Sequence, residues 1–312
     1  MNPGASVGVR LAPTLWRRFW SRSNERVGYF FILPSFIHLL IFLLIPVGFS
    51  FFLSFRDWTQ PKFQDAPYIG FENYNFLMGD RRFWGAMGNT AYFTALSVPL
   101  GMAMSLAVAA ILNQKLRGVN LFRILFFIPV ISSWVAVSII WVTLLDPNVG
   151  IVNYLLQLFG LPAVNWLGDP RSAMPSLVLI SIWKGLGFQM IIWLSGLQAI
   201  PQELYEAASI DGASRWQSFW GITLPLLAPT TLFLAVTGVI VSFQVFAPIY
   251  VITKGGPLGS TDAAMFHIYQ RAFQNFDFGY ASAQSWVLFA VIFIATVIQL
   301  WFVRRRGEET QF

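Results

Sequence analysis

The side chains able to do chemistry in this sequence are few and widely scattered. Cysteine is absent, which removes thiolate metal sites, disulfides and thiol catalysis. The histidines are His38 and His267; far apart in sequence, they make no metal cluster by themselves and read as structural. Lys62, Lys115, Lys184 and Lys254 all lack the preceding glycine that a phosphate-cradling loop places before its lysine, so ATP hydrolysis is not expected on this polypeptide. Lys184 sits deep in an apolar run, where a cation is costly unless it faces water, protein or ligand. It can donate to solute hydroxyls, attract a phosphate, or bind backbone carbonyls at a helix break; substrate contact is the working expectation. No paired carboxylates, histidine pair or metal-ligand spacing occur in the apolar runs, so no catalytic and no metal-binding residues are assigned and a membrane-embedded enzyme is disfavoured.

What positions these residues is a set of membrane spans. Hydrophobic residues make up 56% of the chain and charged ones only 11%, far below the charged share of a soluble domain. Six apolar runs are long enough to cross ~30 Å of hydrocarbon as helices, at approximately 28–55, 86–112, 121–145, 175–200, 226–251 and 284–303. Backbone groups in lipid must pair within the segment, and the alternation of a β-barrel is missing, so the runs read as helices. The first is too long for a signal h-region and lacks a small-x-small cleavage site, so it reads as a retained span.

Residues 1–27 form a basic tail with Arg10, Arg17, Arg18, Arg22 and Arg26; its Leu15-Trp16-Arg17-Arg18-Phe19-Trp20 stretch mixes cations and aromatics as an interfacial helix does, with a loosely ordered tail as the alternative. Together with Lys115, Arg117, Arg123, Arg215 and Arg304 to Arg306, this tail outnumbers the cations of the opposite loops, Arg56, Lys62, Arg81, Arg82, Arg171, Lys254 and Arg271. The bias puts both termini in the cytoplasm. It also accounts for the formal charge of +6 without nucleic-acid binding, since the cations are divided among tails and loops. No Asp or Glu lies inside a run, which disfavours a proton-coupled secondary carrier.

Between the fourth and fifth runs lies a polar elbow, 200–225. Pro201 suits a first helical position, Glu203 and Glu206 favour a helix N-terminal half, Gly212 supplies a reversal and Ser214 an N-cap for a second short helix. Ala207, Ala208 and Gly212 leave a low-profile surface. Docking into a partner's groove and lying on the membrane surface both stay open at this point.

Glu206-Ala207-Ala208, three residues, Gly212, nine residues, Ile222, one residue and Leu224-Pro225 resembles the whole EAA motif of the permeases of binding-protein-dependent ABC importers. Tyr68-Ile69-Gly70-Phe71-Glu72-Asn73-Tyr74, Asp146-Pro147-Asn148-Val149-Gly150-Ile151-Val152-Asn153, Trp166-Leu167-Gly168-Asp169-Pro170 and Thr253-Lys254-Gly255-Gly256-Pro257 with Thr261 are similar to the carbohydrate-uptake branch, the maltose-type and glycerol-phosphate-type permeases. The resemblance covers about residues 28–303, leaving the tails 1–27 and 304–312 outside it.

The resemblance implies an all-α integral membrane protein of six transmembrane helices, with the ABC type I importer permease fold, in a bacterial inner membrane. The elbow would be a cytoplasmic coupling helix, with Glu206, Ala207, Ala208, Asp211 and Gly212 against the ATPase. The solute path would run along the middles of the later spans, by Ser181, Trp183, Lys184, Gly185, Phe188 and Gln189 in the fourth and Gly238, Ser242 and Gln244 in the fifth. Aromatic faces beside hydrogen-bonding groups suit a sugar ring with its belt of hydroxyls. The partners implied are a second related permease chain, with a homodimer as the alternative, two ATP-binding cassette subunits that carry ATP and Mg, and an extracytoplasmic solute-binding protein; no cofactor binds this chain. A di- or oligosaccharide is the expected cargo, with glycerol phosphate or a polyol as the alternative.

Overall fold

A computed structural model describes residues 28–59, 65–114 and 117–308; the basic tail 1–27, Lys62, Lys115 and residues 309–312 lie outside the described residues. The chain forms two compact units, Met1–Leu53 and Ser54–Phe312. The described part of the first is helix α1, Gly28–Leu53, exposed at nearly every position from Tyr29 to Phe52. A helix apolar on all sides and of this length matches a lipid environment.

The second unit is built from helices α2 (Glu72–Gly79), α3 (Arg81–Leu112), α4 (Val119–Ile131), α5 (Trp134–Leu144), α6 (Ile151–Leu158), α7 (Pro170–Gln198), α8 (Gln202–Ile210), α9 (Arg215–Leu226), α10 (Ala228–Phe243), α11 (Ala264–Tyr269) and α12 (Phe278–Glu308). Among the described residues the only extended pairings are isolated bridges, Arg56 with Tyr68 and Thr59 with Asp277.

Their boundaries have local causes. Asp80 caps α3 by accepting from the N–H groups of Arg82 and Phe83, and Asp169 caps α7 through the N–H of Arg171 with Pro170 in the first turn, satisfying donors a helix start leaves free. Around Asp80 a polar cluster forms: its Oδ2 accepts from the Tyr280 hydroxyl at 2.6 Å and lies 3.8 Å from the Arg271 guanidinium. Burial raises the Asp80 carboxyl, but the bonds from Tyr280, Phe83 and Arg82 outweigh it and hold the group below its ordinary 3.8. One amide organises the loop between α5 and α7: buried Asn153 donates to the carbonyls of Pro147 and Val164 and accepts from the Val164 N–H and the Trp166 ring N–H.

Helix α7 is the centre of this unit. In its most apolar window 56% of residues are buried, against 28% for α3 and 11% for α12. It meets α3 and α10 through Met190, Trp193, Leu194, Leu197, Leu227 and Leu234. Against α4 it packs closely at Gly187, where an added Cβ would meet the Phe126 carbonyl and the Phe127 backbone; small residues permit such approach between membrane helices.

Among the described residues four helices are long and apolar enough to cross a membrane: α1, α3, α7 and α12 as far as Phe302. The remaining expected spans are bent pairs and not single helices. The run 121–145 breaks after Ile131, with α4 and α5 at 101°, because Ser132 and Ser133 are extended and Ser133 caps the new helix through the N–H of Val135. The run expected at 226–251 is helical to Phe243, breaks at 244–246 and resumes as helix from 247, with a π-helical turn at Ile249–Thr253, and its predecessor α9 meets α10 at 64° about Leu227.

Candidate functional site

Two polar places stand out: a cavity between the helices and an elbow on the surface. The cavity encloses about 500 Å³ between α3, α7 and α10, with the α4–α5 break on one wall. From α7 it is lined by Ser181, Lys184, Gly185, Phe188 and Gln189, whose spacing repeats every three or four residues along one helical face. Gly238 and Ser242 of α10 and Gln244 just beyond it complete the group expected from sequence. Trp183 is the exception. One residue from Lys184, it points roughly 100° away round the helix and packs edge-on against Trp141 of α5 at 5.5 Å.

Ser97 of α3 also lines the cavity and went unnoticed in the sequence. Its signal was there: Ser97, Gly101, Ser105 and Ala109 recur every four residues, a small-residue stripe of the kind that lets membrane helices approach. Ser105 donates to Gln189 Oε1 at 3.0 Å and accepts from the Trp193 ring N–H at 3.1 Å, so the stripe holds α3 and α7 together. Ser97 and Ser181 belong to the cavity wall, but their Oγ atoms are turned away from its open space, buried and without a hydrogen-bond partner.

Lys184 departs from the substrate-contact expectation. Its Nζ donates to the carbonyls of Pro129 at 3.0 Å, Val130 at 3.2 Å and Ser132 at 2.9 Å, and lies 5.1 Å from the Trp134 ring centre. An ammonium has three donors, and all three are used. The carbonyls belong to the last turn and C-cap of α4, where helical partners run out although Pro129 still accepts from the Ser132 N–H, and a cation there also answers the negative end of the helix dipole. The side chain is 7% exposed. Of the roles open to it in the sequence, the geometry selects the helix break.

The elbow is built the opposite way. No residue of α8 is buried; Ile210 is 87% exposed, and Glu206, Ala207, Asp211 and Gly212 are exposed with Ala208 half-buried. Helix α8 ends where the Ala213 N–H returns to the Ala208 carbonyl and Gly212 takes φ +80°, the left-handed closure that favours glycine. The space where a Gly212 Cβ would stand is empty to 4 Å. Ser214 and Gln217 then form a reciprocal capping box that starts α9, and the Tyr205 hydroxyl meets Thr223 Oγ1 at 2.8 Å, tying the two short helices together.

Residues 97–308 match the family model for the binding-protein-dependent transport system inner membrane component. The chain is 39% identical to the probable ABC transporter permease protein YesP of Bacillus subtilis, over 89% of this chain and 90% of that one. It is 37% identical to the trehalose/maltose transport system permease protein MalF of Thermococcus litoralis, over 91% and 96%. A solved bacterial ABC transporter involved in import of the acidic polysaccharide alginate contains a chain with TM-score 0.80 and 29% identity, covering 92% of this chain and 99% of that one. A second structure of an alginate transporter, at the same TM-score and 28% identity over 93% and 97%, is in complex with a pentasaccharide-bound periplasmic protein. A family match from within α3 to the end of α12, relatives that align over 89% or more of both chains, and a helical fold shared with a solved transporter chain lead to one conclusion: this chain belongs to the binding-protein-dependent transport system inner membrane components, as a membrane-embedded ABC permease subunit with the type I fold, a transport component and not an enzyme.

Proposed function

We propose that the chain supplies half of the translocation pathway of an ATP-driven importer whose cargo is a saccharide, a di- or oligosaccharide above all. The observation that carries the reading is the cavity: the polar residues Gln189, Ser242 and Gln244 line one space with the aromatic rings of Phe93, Phe188 and Phe246. Its volume falls in the ~300–1,000 Å³ range of small-molecule sites. Similarity to a trehalose/maltose permease and to an alginate importer supports a carbohydrate cargo.

Six spans cross the membrane in this reading, with α4–α5 and α9–α10 each counted as one bent span and both termini in the cytoplasm. The domain organisation is a cytoplasmic basic tail 1–27, a permease domain 28–303 with coupling loop 200–225, and a cytoplasmic tail 304–312. In that loop Glu206, Ala207, Ala208, Asp211 and Gly212 dock on a cassette subunit; the exposure of α8 supports this, since an amphipathic surface helix without a partner leaves Ile210 in water. A second related permease completes the pore, two cassette subunits bind ATP and Mg, and an extracytoplasmic receptor delivers the cargo; this chain itself holds no cofactor. The test is uptake by the assembled transporter in proteoliposomes with and without ATP. Uptake is expected only with ATP; equal uptake without nucleotide would make the chain a carrier or channel and overturn the proposal.

A further inference from the structure

We infer that the short helix α6 lies in the outer interface of the bilayer, with its outward face among the acyl chains. The inference rests on the six-span orientation proposed above, which puts the segment between α5 and α7 outside the cytoplasm.

Helix α6 is inverted relative to a helix on a water-facing surface, which turns its apolar stripe to the core and its polar residues out. Ile151, Tyr154, Leu155 and Leu158 follow the i, i+3, i+4, i+7 spacing of one helical face, and all are exposed. Phe159, just beyond the helix, is 82% exposed. On the opposite face Val152 and Leu156 are half-buried and Asn153 is buried, its amide engaged by Pro147, Val164 and Trp166. An amide turned in and an apolar stripe turned out is the arrangement that lipid selects.

Charge and position agree. From Pro147 to Gly168 no residue is charged, while Asp146 and Asp169 flank the stretch. Val152 packs against the apolar cluster of Val137, Leu145 and Ile180, which holds α6 alongside α5 and α7 and not clear of them. Helix α5 is itself apolar and exposed at Ile139, Ile140 and Val142, so along the chain the apolar exposure of a span runs on into α6. Tyr154 supplies the amphipathic ring that membrane–water interfaces favour.

A contiguous apolar patch marks a protein or a membrane contact. A receptor that docks and leaves would return this face to water after each delivery, and interfaces of that kind keep the ordinary polarity of a protein surface. Lipid covers the face at all times. With no Lys or Arg to draw on anionic headgroups, α6 is held there by apolar burial alone.

The chain has no cysteine, so Tyr154→Cys, Gln157→Cys, Leu158→Cys and Arg171→Cys each give it a single thiol for a nitroxide spin label. The assembled transporter, with any cysteines of its partner subunits replaced, would be reconstituted without receptor in phosphatidylethanolamine–phosphatidylglycerol liposomes. Power-saturation EPR then reads collisions of the label with oxygen, which concentrates in lipid, and with a nickel chelate, which stays in water. Relative to Arg171→Cys, exposed at the start of α7, the labels on Tyr154→Cys and Leu158→Cys are expected to favour oxygen several-fold. Gln157→Cys, roughly 100° round the helix from Leu158, should favour it less. Nickel access at Tyr154→Cys and Leu158→Cys that disappears when receptor is added would make the face a receptor dock. Low access to both reagents would make it a contact with the second permease, and nickel access that receptor leaves unchanged would place it in water. Each of these outcomes overturns the inference while ATP-driven uptake keeps the importer reading standing. An impermeant maleimide that reaches Arg171→Cys only from the cytoplasmic side would instead remove the orientation, and the outer placement with it.

Discussion

The cavity and the elbow are the two polar regions of a predominantly apolar chain, and they use their polar groups in opposite directions. In the cavity the strongest groups face inward to the protein: Lys184 holds the α4 carbonyls, Gln189 Oε1 accepts from Ser105, and Ser242 donates to the Val239 carbonyl. Only weak, neutral groups are left over. In the elbow the internal bonds fix the backbone, through the Ser214–Gln217 box and the Tyr205–Thr223 contact, and the outer surface is left unpaired. In the proposed reading, one region lets a solute pass and the other is gripped by a cassette subunit.

The contrast breaks most visibly at Gly212. Gly212→Asp is expected to leave membrane insertion intact and to weaken cassette binding by about 3–5 kcal/mol, the cost of an unpaired charge in an interface, with transport and stimulated ATP turnover lost together. Wild-type turnover in that variant would remove the elbow from the coupling path. Next in size is Lys184→Met, which strands carbonyls at the break at about 1–3 kcal/mol for each buried group left unpaired; it should lower the thermal midpoint in detergent and expose the Ser132–Ser133 hinge to protease, with Lys184→Arg recovering part of the loss. A Lys184→Met protein as stable as wild type would show that the break does not depend on the ammonium.

Gly187→Ala forces a methyl into the Phe126 carbonyl and should cost about 1–3 kcal/mol through overpacking, read as a lower melting temperature without any change in cassette affinity. Smaller still is Ser214→Ala, which removes the N-cap of α9 at about 1 kcal/mol; coupling should weaken while maleimide labelling of a Val98→Cys thiol on the cavity wall stays unchanged, so an effect on labelling would blur the division drawn here. The smallest concerns acid. Asp80 is held below 3.8 in the folded protein, so its contribution is present above that ordinary value and disappears as pH falls through the lower, folded one. Asp80→Asn should flatten the acid end of a stability profile and leave neutral pH almost untouched; an unchanged acid limb would separate Asp80 from it.

The helices that lipid requires were legible from apolar length alone, and α1, α3, α7 and α12 stand where the runs put them. Bends were not, because length measures hydrophobicity and not direction: 121–145 is uninterrupted in polarity, and only Pro129 and the Ser132-Ser133 pair mark its turn. The elbow was readable since Pro201, Gly212 and Ser214 each act through the backbone locally. Cavity residues were partly readable. Those on one face of α7 share one spacing; Trp183 is their neighbour in sequence but not in angle, and only a four-residue repeat of small residues ties Ser97 to α7. The role of Lys184 required knowing where another helix ends, which no local pattern contains.

The Asn153 amide offers a last lesson about where this permease can change. From within α6, its single buried side chain holds 147 before the helix and 164 and 166 after it, so the loop at 159–163 spans two anchored points and can be lengthened or replaced without shifting the start of α7.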